Sequence, residues 1–121
     1  KIAPDLDEAQ IEDIAHVVKS VEMDGIIATN TTIDKSSLGS HPLAGEQGGL
    51  SGLPVREKSN QVLKMLTEHI DGELPIIGVG GIMNGKDAAD KIRLGATAVQ
   101  VYSGMIYKGP ALVKDCLAAL K

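Results

Sequence analysis

The sequence predicts an α/β fold: a parallel sheet covered by helices and built from about four β/α units. Three observations carry this. Apolar runs of strand length alternate with stretches of helical periodicity. The core must be aliphatic, since Phe and Trp are absent and only two Tyr are present, and Ile, Val, Leu, Ala and Met suit strands buried on both faces. The run Leu74-Pro75-Ile76-Ile77-Gly78-Val79-Gly80-Gly81-Ile82 is a short strand ending in glycines, with a helix pattern behind it. At 121 residues the chain is either a small α/β domain or half of a β/α barrel, which needs about 250.

The elements follow in order. Lys1-Ile2-Ala3-Pro4 reads as the tail of a strand. Asp7 can cap a helix, with Gln10 answering it across the first turn, and Ile11, Ile14, Ala15, Val18 and Val21 fall at helical spacing. Gly25-Ile26-Ile27-Ala28-Thr29 is a buried strand, followed by a polar, glycine-rich loop from Asn30 to about Leu53. Pro54 suits the first turn of the next helix, whose stripe is Val62, Leu63, Leu66 and Ile70 and which Asp71-Gly72 ends. After the glycine-rich strand, Asn84 caps a third helix carrying Ala88, Ala89 and Ile92 and stopped at Gly95. Ala98-Val99-Gln100-Val101 is the last strand and Tyr102-Ser103-Gly104 the turn after it. Pro110 opens a fourth helix with Val113, Cys116, Leu117 and Leu120 on one face.

Composition narrows the function. A net charge of −4 with interspersed signs lacks the basic stripe of a nucleic-acid surface. One cysteine excludes an internal disulfide, and three separated histidines give no metal-ligand spacing. No apolar run approaches the ~18 residues of a membrane span. What remains is the glycine chemistry: bare amides after Val79, beside a second turn at Tyr102-Ser103-Gly104, let two adjacent strand ends share one phosphate. Barrels commonly hold a phosphorylated cofactor between the loops after their last two strands.

Lys1-Ile2-Ala3-Pro4-Asp5-Leu6, Ala28-Thr29-Asn30-Thr31-Thr32, Gly48-Gly49-Leu50-Ser51-Gly52, Ile76-Ile77-Gly78-Val79-Gly80-Gly81-Ile82 and Val101-Tyr102-Ser103-Gly104 run in this order through the whole chain. Together they resemble successive signatures of dihydroorotate dehydrogenase, and more narrowly of its quinone-dependent, membrane-associated class. The resemblance implies the C-terminal half of a (β/α)8 TIM barrel that holds FMN. It also implies oxidation of dihydroorotate to orotate in pyrimidine synthesis, with a serine base taking a proton, hydride passing to the flavin, and a quinone reoxidising it. By position, Lys1, Thr29, Gly52, Gly81, Tyr102 and Ser103 would contact FMN, with Ser51 a weaker candidate beside Gly52, and Asn30 and Thr31 would hold the orotate ring. The types are apt. A cation suits the N1–C2 edge of a flavin, and amides and hydroxyls meet both donors and acceptors on a pyrimidine.

In the resembled family the serine base, the early flavin-binding strands, a substrate lysine and the quinone-admitting helices all precede the matched part. No catalytic residue is therefore assigned here, and Ser36, Ser37 and Ser40 do not match the base. Lys35 stands where related sequences often carry arginine, without its fork geometry. This portion is expected to be soluble and inactive alone and, with two open sheet edges, to self-associate or pair with the remainder. The parent would be peripheral to a bacterial or mitochondrial inner membrane. The alternatives are another phosphate-binding barrel enzyme, or a non-catalytic flavin- or phosphate-binding half-barrel. Cys116 reads as a buried inert thiol, Met65 and Met83 as packing residues, and His16, His41 and His69 as surface or lid residues. The pairs Glu12–His16 and Asp87–Lys91 read as solvated helix neighbours.

Overall fold

The structure is a computed structural model that describes residues 1–121. Three parallel strands, β1 (Ile26–Ala28), β2 (Ile76–Val79) and β3 (Ala98–Gln100), lie side by side in chain order. Ile26 pairs with Ile76 and Ile77 with Ala98. The expected first strand is a single parallel bridge from Ile2 to Ala28, with Ile2 N–H donating to Ile27 O at 3.0 Å. Four strand positions thus run in parallel, each followed by a helix, as in a barrel wall.

Local chemistry places the helices. In α1 (Glu8–Ser20) the Asp7 side chain accepts from Gln10 N–H at 2.9 Å while Gln10 Oε1 accepts from Asp7 N–H at 3.0 Å, the reciprocal cap expected. Its apolar stripe ends earlier than Val21, which lies past the last turn and is exposed. Leu53–Val55 forms a 3-10 turn around Pro54 and leads into α2 (Arg56–Ile70), which buries Val62, Leu63, Leu66 and Ile70 and ends at a left-handed Asp71. These residues join Ile11, Ala15, Ile26 and Ile76 in the main core between α1, α2 and the sheet.

Three readings are corrected past β2. Asn84 does cap α3 (Gly85–Arg93), accepting from Asp87 N–H at 2.9 Å. Asp87 and Lys91, however, are not a solvated pair: they are 5% and 1% exposed, and neither bonds the other. The helix turns this side inward because α3 is sandwiched between β2, β3 and the final helix. The turn at Tyr102-Ser103-Gly104 is the start of a short helix, α4 (Ser103–Lys108). On α5 (Ala111–Ala119) the buried face is Leu112 and Cys116, packed with Ile82 and Ala88, whereas Val113, Leu117 and Leu120 are exposed. Cys116 is buried as expected, and burial raises its thiol pKa, so it stays protonated and unreactive near neutral pH.

Candidate functional site

The carboxyl ends of the strands open onto a cleft of about 230 Å3. Lys1, Thr29, Asn30, Thr31, Gly52, Gly81, Tyr102 and Ser103, the eight residues singled out from sequence, all line it, as does Ser51. Val79, Gly80, Gln100 and Gly104 line it too. Gly80 and Gly104 stand in the sequence motifs. Gln100 carried no sequence signal beyond its place at the end of a strand.

Two glycines bring the walls together. Gly81 has φ +72°, and a Cβ on it would sit 2.3 Å from Arg56 Cβ and 2.6 Å from Arg56 Cα, so only glycine lets the turn pass over the start of α2. A Cβ on Gly104 would sit 2.3 Å from Ile82 O, so α4 can begin directly against the segment that follows β2. The amides of Gly80, Gly81, Ser103 and Gly104 donate to no acceptor within the chain. These four donors belong to two segments that line the same cleft, an arrangement suited to an anion. Ser51 Oγ and Ser103 Oγ lie 2.8 Å apart and join the loop before α2 to α4.

On the other side of the cleft, β1 ends in Thr29, which is 1% exposed; its N–H donates to Val79 O at 2.9 Å and its hydroxyl to Asn30 O at 2.9 Å. The Ala28–Thr29 peptide is cis. Asn30 Oδ1 accepts from Thr31 N–H at 2.9 Å, which leaves the Asn30 amide nitrogen to donate outward. Lys1 lies exposed at the rim. Ser36, Ser37 and Ser40 are not among the cleft residues. No His, Cys, Asp and Glu side chains gather into a group that could hold a metal ion, and no helix is long and apolar enough to cross a membrane.

The loop after β1 is tied down more than its composition suggests. Thr32 and Leu50 form an antiparallel bridge, with N–H···O distances of 3.1 and 2.8 Å, and Lys35 Nζ donates to Glu46 O across the loop. Asp5 accepts from Thr32 Oγ1 at 2.5 Å and Ile33 N–H at 2.9 Å, while Lys58 bridges Asp5 at 3.0 Å and Asp34 at 2.9 Å. Burial pushes the Asp5 carboxyl up, but the bonds from Thr32, Ile33 and Lys58 outweigh it and hold its pKa below 3.8. The unfolded chain therefore takes up the proton first on acidification, so the Asp5 contribution is complete above about pH 4 and is lost as pH falls through the lower folded value. Asp5→Asn is expected to speed amide hydrogen exchange at Ile33 and Asp34 at pH 7 by roughly tenfold, and to make it less sensitive to acid than in the wild type. Unchanged exchange would show that the bridge holds the loop without Asp5.

Comparison with known proteins accords with this architecture. The family model described as dihydroorotate dehydrogenase matches residues 1–121. "Dihydroorotate dehydrogenase (quinone)" of Neisseria meningitidis serogroup A is 91% identical over 120 residues, covering 99% of this chain and 36% of the relative. The protein of that name from Thiobacillus denitrificans is 56% identical over 120 residues, with the same coverage of 99% and 36%. Among solved structures, DHODH from Eimeria tenella in complex with ferulenol superposes with a TM-score of 0.91 at 42% identity, covering 98% of this chain and 32% of that one. The chain thus spans about a third of the length of the relatives it matches. With the family model matching from Lys1 to Lys121 and the fold superposing on a solved structure of that name, the chain belongs to the dihydroorotate dehydrogenase family.

Proposed function

We propose that this chain supplies the FMN phosphate site and part of the substrate site of a quinone-dependent dihydroorotate dehydrogenase, which oxidises dihydroorotate to orotate. One observation carries the reading: residues from four successive strand ends meet in one cleft whose glycine amides are unspent. The fit is chemical as well as spatial. The amides of Gly80, Gly81, Ser103 and Gly104, with the Ser103 hydroxyl, suit a phosphate, and the backbone at Gly52 and Tyr102 closes the same end. Thr29 and, at the rim, Lys1 line the other side of the cleft, where the ring system of the cofactor would lie. FMN bound there supplies the acceptor for the hydride leaving dihydroorotate.

The chain's own part in the reaction is to orient. Asn30, its carbonyl held by Thr31, presents an amide donor for a carbonyl or carboxylate oxygen of the pyrimidine, and Thr31 lies beside it. The base that takes the proton lies outside this chain in the proposal, as do the quinone entry and the membrane-facing surface. The open edges at Ile2 and β3 pair with the remainder of the barrel, or with another copy when the chain stands alone.

Flavin absorbance tests the cofactor, and an orotate-induced change in that spectrum tests the substrate. Asn30→Ala is expected to weaken orotate by about ten- to a hundredfold, the worth of hydrogen bonds to a charged ligand, and to leave FMN affinity within about threefold. A bound flavin whose spectrum and affinity ignore orotate would point instead to another phosphate-binding barrel enzyme.

A further inference from the structure

The most anomalous side chain in the molecule is Lys91. It is 1% exposed on α3, with its Nζ 2.5 Å from Ser59 Oγ and 3.5 Å from Val79 O, and it makes no ion pair. Lysine is almost never buried without an anionic partner. The nearest candidate, Asp87 one turn earlier, is spent elsewhere: Oδ1 accepts from Arg56 Nη1 at 3.0 Å and Oδ2 from Met83 N–H at 2.9 Å.

The surroundings give this charge a direction. Ser59, itself 0% exposed, accepts from Lys91 and donates to Val79 O. Val79 O also accepts from Thr29 N–H at 2.9 Å, so three donors converge on the carbonyl of the Val79–Gly80 peptide. The other end of that peptide is the N–H of Gly80, a residue that lines the cleft. Hydrogen bonds to a carbonyl polarise its peptide and strengthen the N–H as a donor. Ser59 Oγ sits 2.8 Å from where a side chain on Gly80 would begin, so the relay lies directly behind the turn.

We propose that Lys91 is an electrostatic positioning residue for the anion site: its ammonium, coupled through Ser59 and the Val79 carbonyl to the back of the Gly80-Gly81 turn, provides the fixed positive charge against which a phosphate monoester dianion binds on the cleft side. The inference rests on the phosphate reading of the cleft given above and deepens it.

Two consequences separate this role from packing. Burial lowers the Lys91 pKa to about 8, opposed by the charges of Asp87 on its own helix and Glu57 on α2; β2 turns only the Val79 carbonyl and Gly78 toward it. Because the folded value lies below 10.5, the charge destabilises the fold at neutral pH, and stability rises as pH climbs from about 8 toward 10.5. Lys91→Met is therefore expected to fold at least as stably as the wild type at pH 7, yet to bind phosphate less well. A dianion in the cleft favours the charged lysine, so phosphate affinity falls as the free protein's lysine deprotonates. The second pKa of a phosphate monoester is about 6, so the ligand's own charge is nearly constant above pH 7.

The experiment titrates the protein, freed of flavin, with FMN and with riboflavin, which lacks the phosphate, following flavin fluorescence from pH 7 to 9.5. The wild type is expected to lose about five- to tenfold in FMN affinity between pH 7 and 9 and to hold riboflavin evenly. Lys91→Met is expected to bind FMN about tenfold more weakly at pH 7 with a flat profile, its riboflavin affinity unchanged. Lys1, which also lines the cleft, is present in both proteins and drops out of the comparison. Inorganic phosphate competing with FMN in the wild type, but about tenfold less well in Lys91→Met, gives a readout free of the flavin ring. A variant that keeps the wild-type pH slope, or that loses FMN and riboflavin alike, overturns the proposal. Should Lys91→Met not fold, Ser59→Ala decides: FMN affinity several-fold lower with the pH midpoint moved down supports the relay, and an unchanged profile overturns it. Failure of the wild type to take up FMN or phosphate at all would instead strike the cofactor reading itself.

Discussion

On the proposed function, Gly81→Ala is expected to lower FMN affinity more than a hundredfold, with a loss of about 3 kcal/mol in stability. Two effects add. The added methyl meets Arg56 Cβ at 2.3 Å and the backbone Cα at 2.6 Å and N at 2.9 Å, atoms fixed at the head of a packed helix that cannot swing aside, and such overpacking costs about 1–3 kcal/mol. The left-handed φ of +72° costs a further ~1–2 kcal/mol for any residue with a Cβ. Relief requires the turn to lift off α2, which moves the amides of Gly80 and Gly81 away from those of Ser103 and Gly104. Gly72→Ala separates the two effects, since Gly72 has φ +77° but nothing within 4 Å of its would-be Cβ. It should cost only about 1–2 kcal/mol and leave FMN affinity unchanged. Flavin titration and urea unfolding of both variants check this, and equal behaviour of the two would remove the steric argument.

Leu66→Ala is expected to cost about 2–5 kcal/mol, the range for a buried leucine whose cavity does not collapse. Leu66 is 0% exposed in the main core with Ile11, Ile26, Leu63 and Ile76. The whole stability of a domain is about 5–15 kcal/mol, so this change takes a large share of it and shifts the urea midpoint accordingly. Val17→Ala on α1, where Val17 is 52% exposed, should stay within about 0.5 kcal/mol. A loss under 1 kcal/mol at Leu66 would mean that α2 is held from its ends rather than by its stripe.

These two residues also mark what could be read from the chain beforehand. The α2 stripe and the reciprocal Asp7–Gln10 cap are local patterns, decided within one or two turns, and the structure carries both. Most of the cleft lining was legible because Thr29, Asn30, Thr31, Gly81, Tyr102 and Ser103 sit just after strands, and parallel strands put those positions at one end of the sheet; Lys1 and Gly52 came from the motifs alone. Asp87 and Lys91 were misread because charges spaced four apart on a helix ordinarily point to water; their burial comes from α3 packing against β2 and the first turns of α2, where Arg56 and Ser59 meet them, and no local window contains that packing. A second long-range contact, α5 against α3 around Ala88 and Ile82, decides α5, where Leu112 rather than Val113 is turned inward. At six residues α4 is too short to show a period, and the first strand is only one bridged residue.

The Thr32–Leu50 bridge has a bearing on how such a protein can diversify. Everything between those two residues leaves and re-enters through a single fastened gate, braced from beneath by Asp5 and Lys58. Doubling the length of a loop whose ends are already fixed costs only about 0.6 kcal/mol in closure entropy. Residues 33–49 therefore form an exchangeable cassette, free to lengthen, shorten or change composition while the cleft lined by Gly80, Gly81 and Ser103 stays as it is.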